Sequence, residues 1–178
     1  AYQIGHWIPI IFFGDRGWYS RHRQVLQQHP GRKVTCCSKI GAEPDVEFWP
    51  CDTEQRRKSG LSPDKGALCW NLNSGAAAID LACHLGAELI VLLGFDMNFD
   101  EQGDSHWHGR HWDDDRVASM PESKYTSVKH SNFKRHLQCF GTIAEDARNM
   151  GVQILNASPA SRITAFPRIN VPEVLDVS

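Results

Sequence analysis

Three histidines lie close together in the segment SHWHGRH, residues 105–111: His106, His108 and His111. This segment has the chain's highest concentration of side chains that could act in catalysis. The imidazole group titrates near neutral pH, so it suits general acid–base work. In an extended segment His106 and His108 face the same way, which also suits a divalent metal ion. Trp107 could stack on a base or sugar, or anchor the segment in the core. The alternative is a polar surface loop that is rich in histidine.

A carboxylate precedes these histidines at the end of a predicted strand. Residues 89–93, LIVLL, form an apolar run of strand length, and Gly94 and Asp96 follow it closely. Ligands of open α/β sheets bind at the carboxyl edge of the strands. Asp96 could therefore bind ribose hydroxyls, orient a histidine, or hold a metal together with His106 and His108. Alternatively, it caps the turn that follows.

A helix is predicted to begin at Asn73-Ser74-Gly75 and to end near Gly86. The free backbone N–H groups and the positive dipole end of such a start suit a phosphate or a carboxylate. The alternative is a plain helix cap and tight turn. The segment lacks the GKS or GKT of a Walker loop and the full GxGxxG of a dinucleotide site, so NAD is not predicted.

Polar residues end two further predicted strands. Asp15 follows the strand predicted over residues 8–13, and Asn156 and Ser158 follow the strand predicted over residues 152–155. Because the carboxyl ends of parallel strands share one edge, these side chains could line the same cleft. Each has a simpler alternative. Asp15 would cap the next helix, and Asn156 and Ser158 would form a turn.

Strands and helices alternate along the chain. Apolar patterns predict strands at 8–13, 33–37, 46–49, 89–93 and 152–155, and helices at 18–29, 73–86 and 131–150. This alternation predicts a single α/β domain over residues 1–178, with a Rossmann-like three-layer fold and a mostly parallel sheet. Residues 38–72 are predicted to be an irregular insertion or lid, and residues 113–129 a polar loop.

The composition is that of an ordinary globular chain. The 178 residues are 41% hydrophobic and 22% charged, and the formal net charge is −2. This balance argues against nucleic-acid or membrane binding through a strong overall field. No apolar run reaches the roughly 20 residues that span a bilayer. The amino end, AYQIGHW, lacks signal-peptide features, and the six cysteines form no CxxC pair. We therefore expect reduced thiols and a cytoplasmic protein.

The central block resembles a known group of proteins. The string NSGAAAIDLACHLGAELIVLLGFDM is followed by SHWHGRH, a predicted long helix and GVQILNASPASRITAFP. This order resembles phage-encoded proteins of unknown function that are related to the archaeal 6-hydroxymethylpterin diphosphokinase-like family. It is also similar to bacterial sialyltransferases that use CMP-sialic acid. The resemblance covers roughly Asp15 to Pro167 and implies a Rossmann-like fold.

The resemblance implies roles for particular residues. Ser74 and Gly75 would contact the phosphate or ribose of a nucleotide. The base of the sialyltransferases is the His of a Gly-His pair. Here the loop reads HGRH, one residue longer after Gly109, so the match falls on His111 with His108 as its competitor. Both families begin with a Gly-rich strand–loop–helix of the GxGPS type, which this sequence lacks. The expected domain therefore either begins partway through the fold or lacks its first βα unit.

Taken together, these features favour a protein that binds a small-molecule nucleotide or nucleotide-sugar and transfers a glycosyl group, with His111 or His108 deprotonating the acceptor. The expected nucleotide-binding residues are Asn73, Ser74, Gly75, Gly94, Asp96, Asn156 and Ser158. In a diphosphokinase alternative, Mg²⁺ would bind Asp96 and nearby carboxylates. Two other classes stay open: a non-catalytic phage or host accessory protein, and a metal-dependent hydrolase that uses His106, His108 and Asp96.

Overall fold

A computed structural model describes residues 7–52, 59–101, 103, 119–170 and 172 of the chain. The chain divides after Gly86 into two compact units, residues 1–86 and 87–178. Each unit combines parallel strands with helices, so the prediction of an α/β fold is confirmed at this level. Within the ranges given above, no helix is both long and apolar enough to cross a membrane.

The first unit contains a three-stranded parallel sheet in the order β1-β2-β3. Its elements are β1 (Ile10–Phe13), α1 (Arg16–Gln27), β2 (Arg32–Thr35), β3 (Glu47–Phe48) and α2 (Ser74–His84). These bounds lie within two residues of the predicted ones. Local patterns of apolar residues and helix caps were therefore enough to find every element of this unit that the structure describes.

Alternate side chains of β1 form part of the core of the first unit. Ile11 and Phe13 point to the same face, as expected from the two-residue repeat of a strand. They form one buried cluster with Tyr19 and Leu26 of α1 and with Ile40. The rings of Phe13 and Tyr19 stack with their centroids 5.2 Å apart. Burial of this apolar face holds α1 against the sheet.

Among its described residues, the second unit pairs two parallel strands and carries two helices between them in sequence. Its elements are β4 (Leu89–Leu92), α3 (Glu122–Leu137), α4 (Phe140–Asn149) and β5 (Gln153–Asn156). Leu89 lies opposite Gln153, and Leu92 lies opposite Asn156. Buried residues recur along one face of α4, as expected for an amphipathic helix: Phe140, Ile143, Ala144 and Ala147.

The prediction of one long helix over residues 131–150 is wrong. α3 begins inside the stretch 113–129 that was expected to be a polar loop, and α4 is a separate helix. Pro121 occupies the N-cap of α3, where its missing N–H removes no helical hydrogen bond. Between the helices, the Gln138 N–H donates to the Arg135 C=O three residues back at 3.3 Å. This tighter turn ends α3 before α4 begins.

Asp80 of α2 is a completely buried carboxylate. Its oxygens accept the Cys69 N–H at 2.6 Å and the Ser62 N–H at 3.1 Å. The His84 Nε2 lies 3.3 Å from one oxygen without the alignment of a hydrogen bond, and burial lowers the pKa of this histidine. The bonds from Ser62 and Cys69 tie part of the predicted insertion, residues 38–72, to α2.

All six cysteines are free thiols, in agreement with the predicted reduced state. Cys83 lies in α2 and Cys139 at the start of α4, and both are buried. Burial raises the pKa of Cys83 to about 11, so its thiol stays protonated at neutral pH. Both residues therefore serve as small core side chains.

We predict that Asp80→Asn lowers the free energy of unfolding by about 2–3 kcal/mol, because two buried N–H groups lose a charged acceptor. Urea denaturation at neutral pH measures this change. Asp45→Asn is the matched control, since Asp45 is an exposed carboxylate of the same unit. Its effect should stay within about 0.5 kcal/mol. Equal losses in the two variants would contradict the role given to Asp80.

Candidate functional site

The turns that follow β4 and β5 interlock at the carboxyl edge of the second sheet. The Phe95 N–H donates to the Ser158 Oγ at 2.9 Å, and the Ser161 Oγ donates to the Phe95 C=O at 2.6 Å. The Ala157 N–H donates to the Leu92 C=O, also at 2.9 Å. The first two bonds join residues 63 and 66 positions apart, so this edge is built by tertiary contacts.

Asn156 and Ser158, two predicted nucleotide-binding residues, are buried within this edge, at 1% and 2% exposure. The Asn156 Oδ1 accepts the Ser158 N–H at 3.0 Å, and the Asn156 Nδ2 donates to the Ile163 C=O at 3.4 Å. The Ser158 Oγ accepts the Phe95 N–H. Their polar atoms are thus used within the chain. They build the turn, which is the simpler of their two predicted roles.

Asp96 keeps its carboxylate available at the same edge. Its C=O accepts the Arg162 N–H at 2.8 Å, and the residue is half-buried. Among the described residues its carboxylate has no hydrogen-bond or ion-pair partner. Gly94 and Met97 on either side have φ angles of +70° and +49°. Such left-handed positions are uncommon outside glycine, so the loop is tightly turned around Asp96. A half-buried carboxylate of this kind can accept hydrogen bonds from ligand hydroxyls or bind a cation.

Two aromatic contacts hold the Asp96 loop against the helices of its unit. The Phe95 ring meets the Phe140 ring edge-on, with centroids 6.4 Å apart, at the start of α4. The Phe99 ring meets the Phe133 ring edge-on at 5.3 Å, in the second half of α3. Because Asp96 lies between these two anchors, its loop runs along the end of α3 and the beginning of α4.

Two half-buried basic side chains lie on the face of α3 that contains Phe133. Lys129 lies one turn before it and His136 one turn after it, and both are half-buried. The Lys129 Nζ lies 5.6 Å from the centre of the Tyr125 ring. Burial lowers the pKa of both groups, and nearby Arg135 and Lys129 lower that of His136 further. The imidazole is therefore mostly neutral at pH 7, and a bound anion would stabilise the ammonium charge of Lys129.

Lys129 and His136 are missing from the site that the sequence predicts. The reason is that α3 overlaps the stretch expected to be a loop, so Lys129 was not assigned to any helix face. Two signals in the sequence do mark this helix. Pro121 and Glu122 form a typical helix start, and Tyr125 precedes Lys129 by one helical turn.

At the start of α2, Asn73 acts as the helix cap. Its Oδ1 accepts the Gly75 N–H at 2.9 Å and the Ala76 N–H at 3.4 Å. The Gly75 N–H, which the resemblance assigns to a phosphate, is thus already bonded. A phosphate bound here would have to replace the Asn73 side chain. The contact of Ser74 and Gly75 with a nucleotide stays a prediction.

Asp15 caps α1, because its Oδ1 accepts the Trp18 N–H at 2.6 Å. This is the simpler of its two predicted roles. The predicted site residues divide between the two units. Those of the first unit are Asp15, Asn73, Ser74 and Gly75, and those of the second are Gly94, Asp96, Asn156 and Ser158. Within the second unit, the structure brings the four residues to one edge of the sheet.

The predicted histidine-rich segment lies outside the described residues: His106, Trp107, His108 and His111. Where the chain is described, no group of three or more His, Cys, Asp or Glu side chains is placed to hold a metal ion. The general base and the metal set of Asp96, His106 and His108 therefore both stay predictions.

No protein-family model, curated protein or solved structure matches this chain. The resemblance to diphosphokinase-like phage proteins and to sialyltransferases therefore stays a prediction as well.

We predict that His136 titrates below its ordinary pKa of 6.5 in the folded protein. When the pH falls through that value, the unfolded chain takes up the proton first, so His136 makes folding less stable as the pH decreases. Histidine NMR resonances, followed in the native protein and in urea, measure both pKa values. His136→Gln should lose less stability than the wild type between about pH 8 and about pH 5.5. A native midpoint at or above the midpoint in urea would contradict this.

Proposed function

We propose that this chain binds a nucleotide or nucleotide-sugar at the carboxyl ends of β4 and β5 and transfers a glycosyl group from it. One observation carries the proposal. The carboxylate of Asp96 has no partner among the described residues, and its loop packs on the α3 face that bears Lys129 and His136. An acidic group and basic groups on two segments that pack together suit a ligand that has both hydroxyls and phosphates. The proposed fold is a Rossmann-like three-layer domain over residues 1–178.

In the proposed complex, each group has a distinct task. The Asp96 carboxylate accepts hydrogen bonds from ribose or sugar hydroxyls, as acidic residues at strand ends commonly do. Lys129 lies beside the phosphate and stabilises the negative charge that grows on it as the sugar departs. The neutral His136 imidazole donates or accepts a further hydrogen bond. Partial burial strengthens all three interactions, because water screens them less.

The transfer step needs a base, and the resemblance supplies His111, with His108 as competitor. The base takes the proton of the acceptor hydroxyl while the acceptor oxygen bonds to the anomeric carbon. The bond between that carbon and the phosphate oxygen breaks, and its electrons leave with the nucleotide phosphate. No atom changes its oxidation state in this transfer, and the step as written uses no metal ion. In the diphosphokinase variant of the proposal, Asp96 would bind Mg²⁺ instead.

A non-catalytic binding protein is the second candidate. One observation favours it: the Gly75 N–H that would hold the leaving phosphate in the resembled families is occupied by Asn73. Such a protein would use the same edge of the second unit to bind its ligand. It differs from a transferase in the fate of that ligand, which activity measurements can follow.

We predict that one of CMP, UDP, ATP or GDP raises the melting temperature of the protein. A ligand present at 100 times its dissociation constant stabilises the native state by about 2.7 kcal/mol. Asp96→Asn should remove most of this shift, because the amide loses the charge and one acceptor. Glu101→Gln changes an exposed carboxylate nearby and is the matched control. If no nucleotide shifts the wild type, the proposal loses its main support.

We predict further that the protein hydrolyses its nucleotide-sugar donor slowly when no acceptor is present, and that His111→Ala lowers this rate. Loss of a general base typically reduces the rate by about 10²- to 10⁴-fold. His108→Ala tests the competing assignment, and His22→Ala on α1 is the control histidine. Release of the nucleotide, followed by chromatography, measures the rate. Binding without any hydrolysis would favour the non-catalytic candidate.

A further inference from the structure

We propose that the second unit holds a second small-molecule site, for a short carboxylic acid that carries a carbonyl oxygen next to a branched apolar end. The site is a cavity of about 130 Å³ beside the middle of β5. Its walls come from α4, from β5 and from the segment Ala165–Pro167. The cavity lies along the outer side of β5, whereas the proposed nucleotide site lies at the carboxyl end of that strand.

Ile154 lines this cavity, and its backbone can supply a polar contact there. In the parallel ladder, the Gln153 N–H donates to the Glu88 C=O at 2.9 Å, so alternate residues of β5 bond toward β4. Ile154 and Asn156 therefore direct their N–H and C=O groups to the other side. Asn156 finds partners there, because its N–H donates to the Pro167 C=O at 2.8 Å.

Ile154 has no such partner among the described residues. It is only 5% exposed, and buried backbone N–H groups are nearly always bonded to protein, water or ligand. The cause is the path of the neighbouring segment. Pro167 and Ile169 pair with Asn156, but Phe166 turns toward Phe140, with ring centroids 6.0 Å apart. Pairing on this side of β5 therefore stops at Asn156, two residues short of Ile154, and the cavity lies beside Ile154.

The remaining walls define the rest of the ligand. Ala147 and Phe166 are buried and apolar, and the short alanine side chain leaves the space that the cavity fills. A protein cavity of about 150 Å³ can hold benzene, so this one accepts an apolar group of up to about six carbon atoms. An amphipathic ligand with a small branched alkyl group fits these dimensions.

Arg148 supplies the charge that selects an acid. It lines the cavity, and its Nε donates to the Ala144 C=O at 3.1 Å. This bond fixes the stem of the side chain, while the terminal nitrogens have no partner among the described residues. A guanidinium group presented in this way binds a carboxylate through paired hydrogen bonds. The carbonyl oxygen of the ligand would then accept the Ile154 N–H.

The probe for this site is α-ketoisovalerate, which combines a carboxylate, a carbonyl oxygen and an isopropyl group. We predict that it shifts the backbone amide resonance of Ile154 in the isotope-labelled full chain, and that the shift saturates. Arg148→Gln should weaken binding about tenfold or more, as expected for a lost charged hydrogen bond. Arg162→Gln removes an exposed charge elsewhere in the same unit and should bind as the wild type does.

Ala165→Leu tests the location independently. Ala165 lines the cavity and is half-buried, so a larger side chain there fills the opening without entering the core. Binding should disappear in this variant while the amide spectrum away from the cavity stays unchanged. Isovalerate, which lacks the carbonyl oxygen, should bind more weakly than α-ketoisovalerate. The proposal is overturned if Ile154 shows no saturable shift, or if the Ala165→Leu or Arg148→Gln variant binds with wild-type affinity.

Discussion

The second unit depends on the hydrogen bonds that lock the turn after β4 to the turn after β5. Phe95 is held on both sides of its peptide unit, since its N–H donates to the Ser158 Oγ and its C=O accepts from the Ser161 Oγ. Asp96 is held next to it through the Arg162 N–H. These bonds set the direction in which the chain leaves the sheet and therefore where the Asp96 carboxylate lies. A site at this edge would be preorganised, because its carboxylate is positioned before a ligand arrives.

The hydrogen bonds of the structure distinguish two kinds of polar residue that look alike in the sequence. Asn156 and Ser158 are committed to the fold, because buried polar atoms must be bonded and theirs are bonded within the chain. Asp15 and Asn73 are committed to helix caps in the first unit. The carboxylate of Asp96 has no hydrogen-bond or ion-pair partner among the described residues. It is the natural point at which to look for ligand contacts.

Partial burial changes the pKa values of two basic groups on one face of α3. A lysine and a histidine that are drawn away from water lose solvation, and the lowered pKa values of Lys129 and His136 reflect that loss. An anionic ligand would restore the lost stabilisation of the lysine charge. Asp80 in the first unit is also drawn away from water, and the backbone N–H groups of Ser62 and Cys69 stabilise its charge.

The amino-acid sequence by itself determined the alternation of strands and helices, the free thiols and a helix cap at Asn73 or Ser74, because these follow from the apolar period and from residues a few positions apart. It misplaced α3, since Pro121 and Tyr125 were weaker signals than the polar residues around them. Only the tertiary structure decided which polar groups remain available at the sheet edge and beside β5. That outcome depends on hydrogen bonds such as Phe95 to Ser158, between residues 63 positions apart, and no local pattern encodes such a pairing.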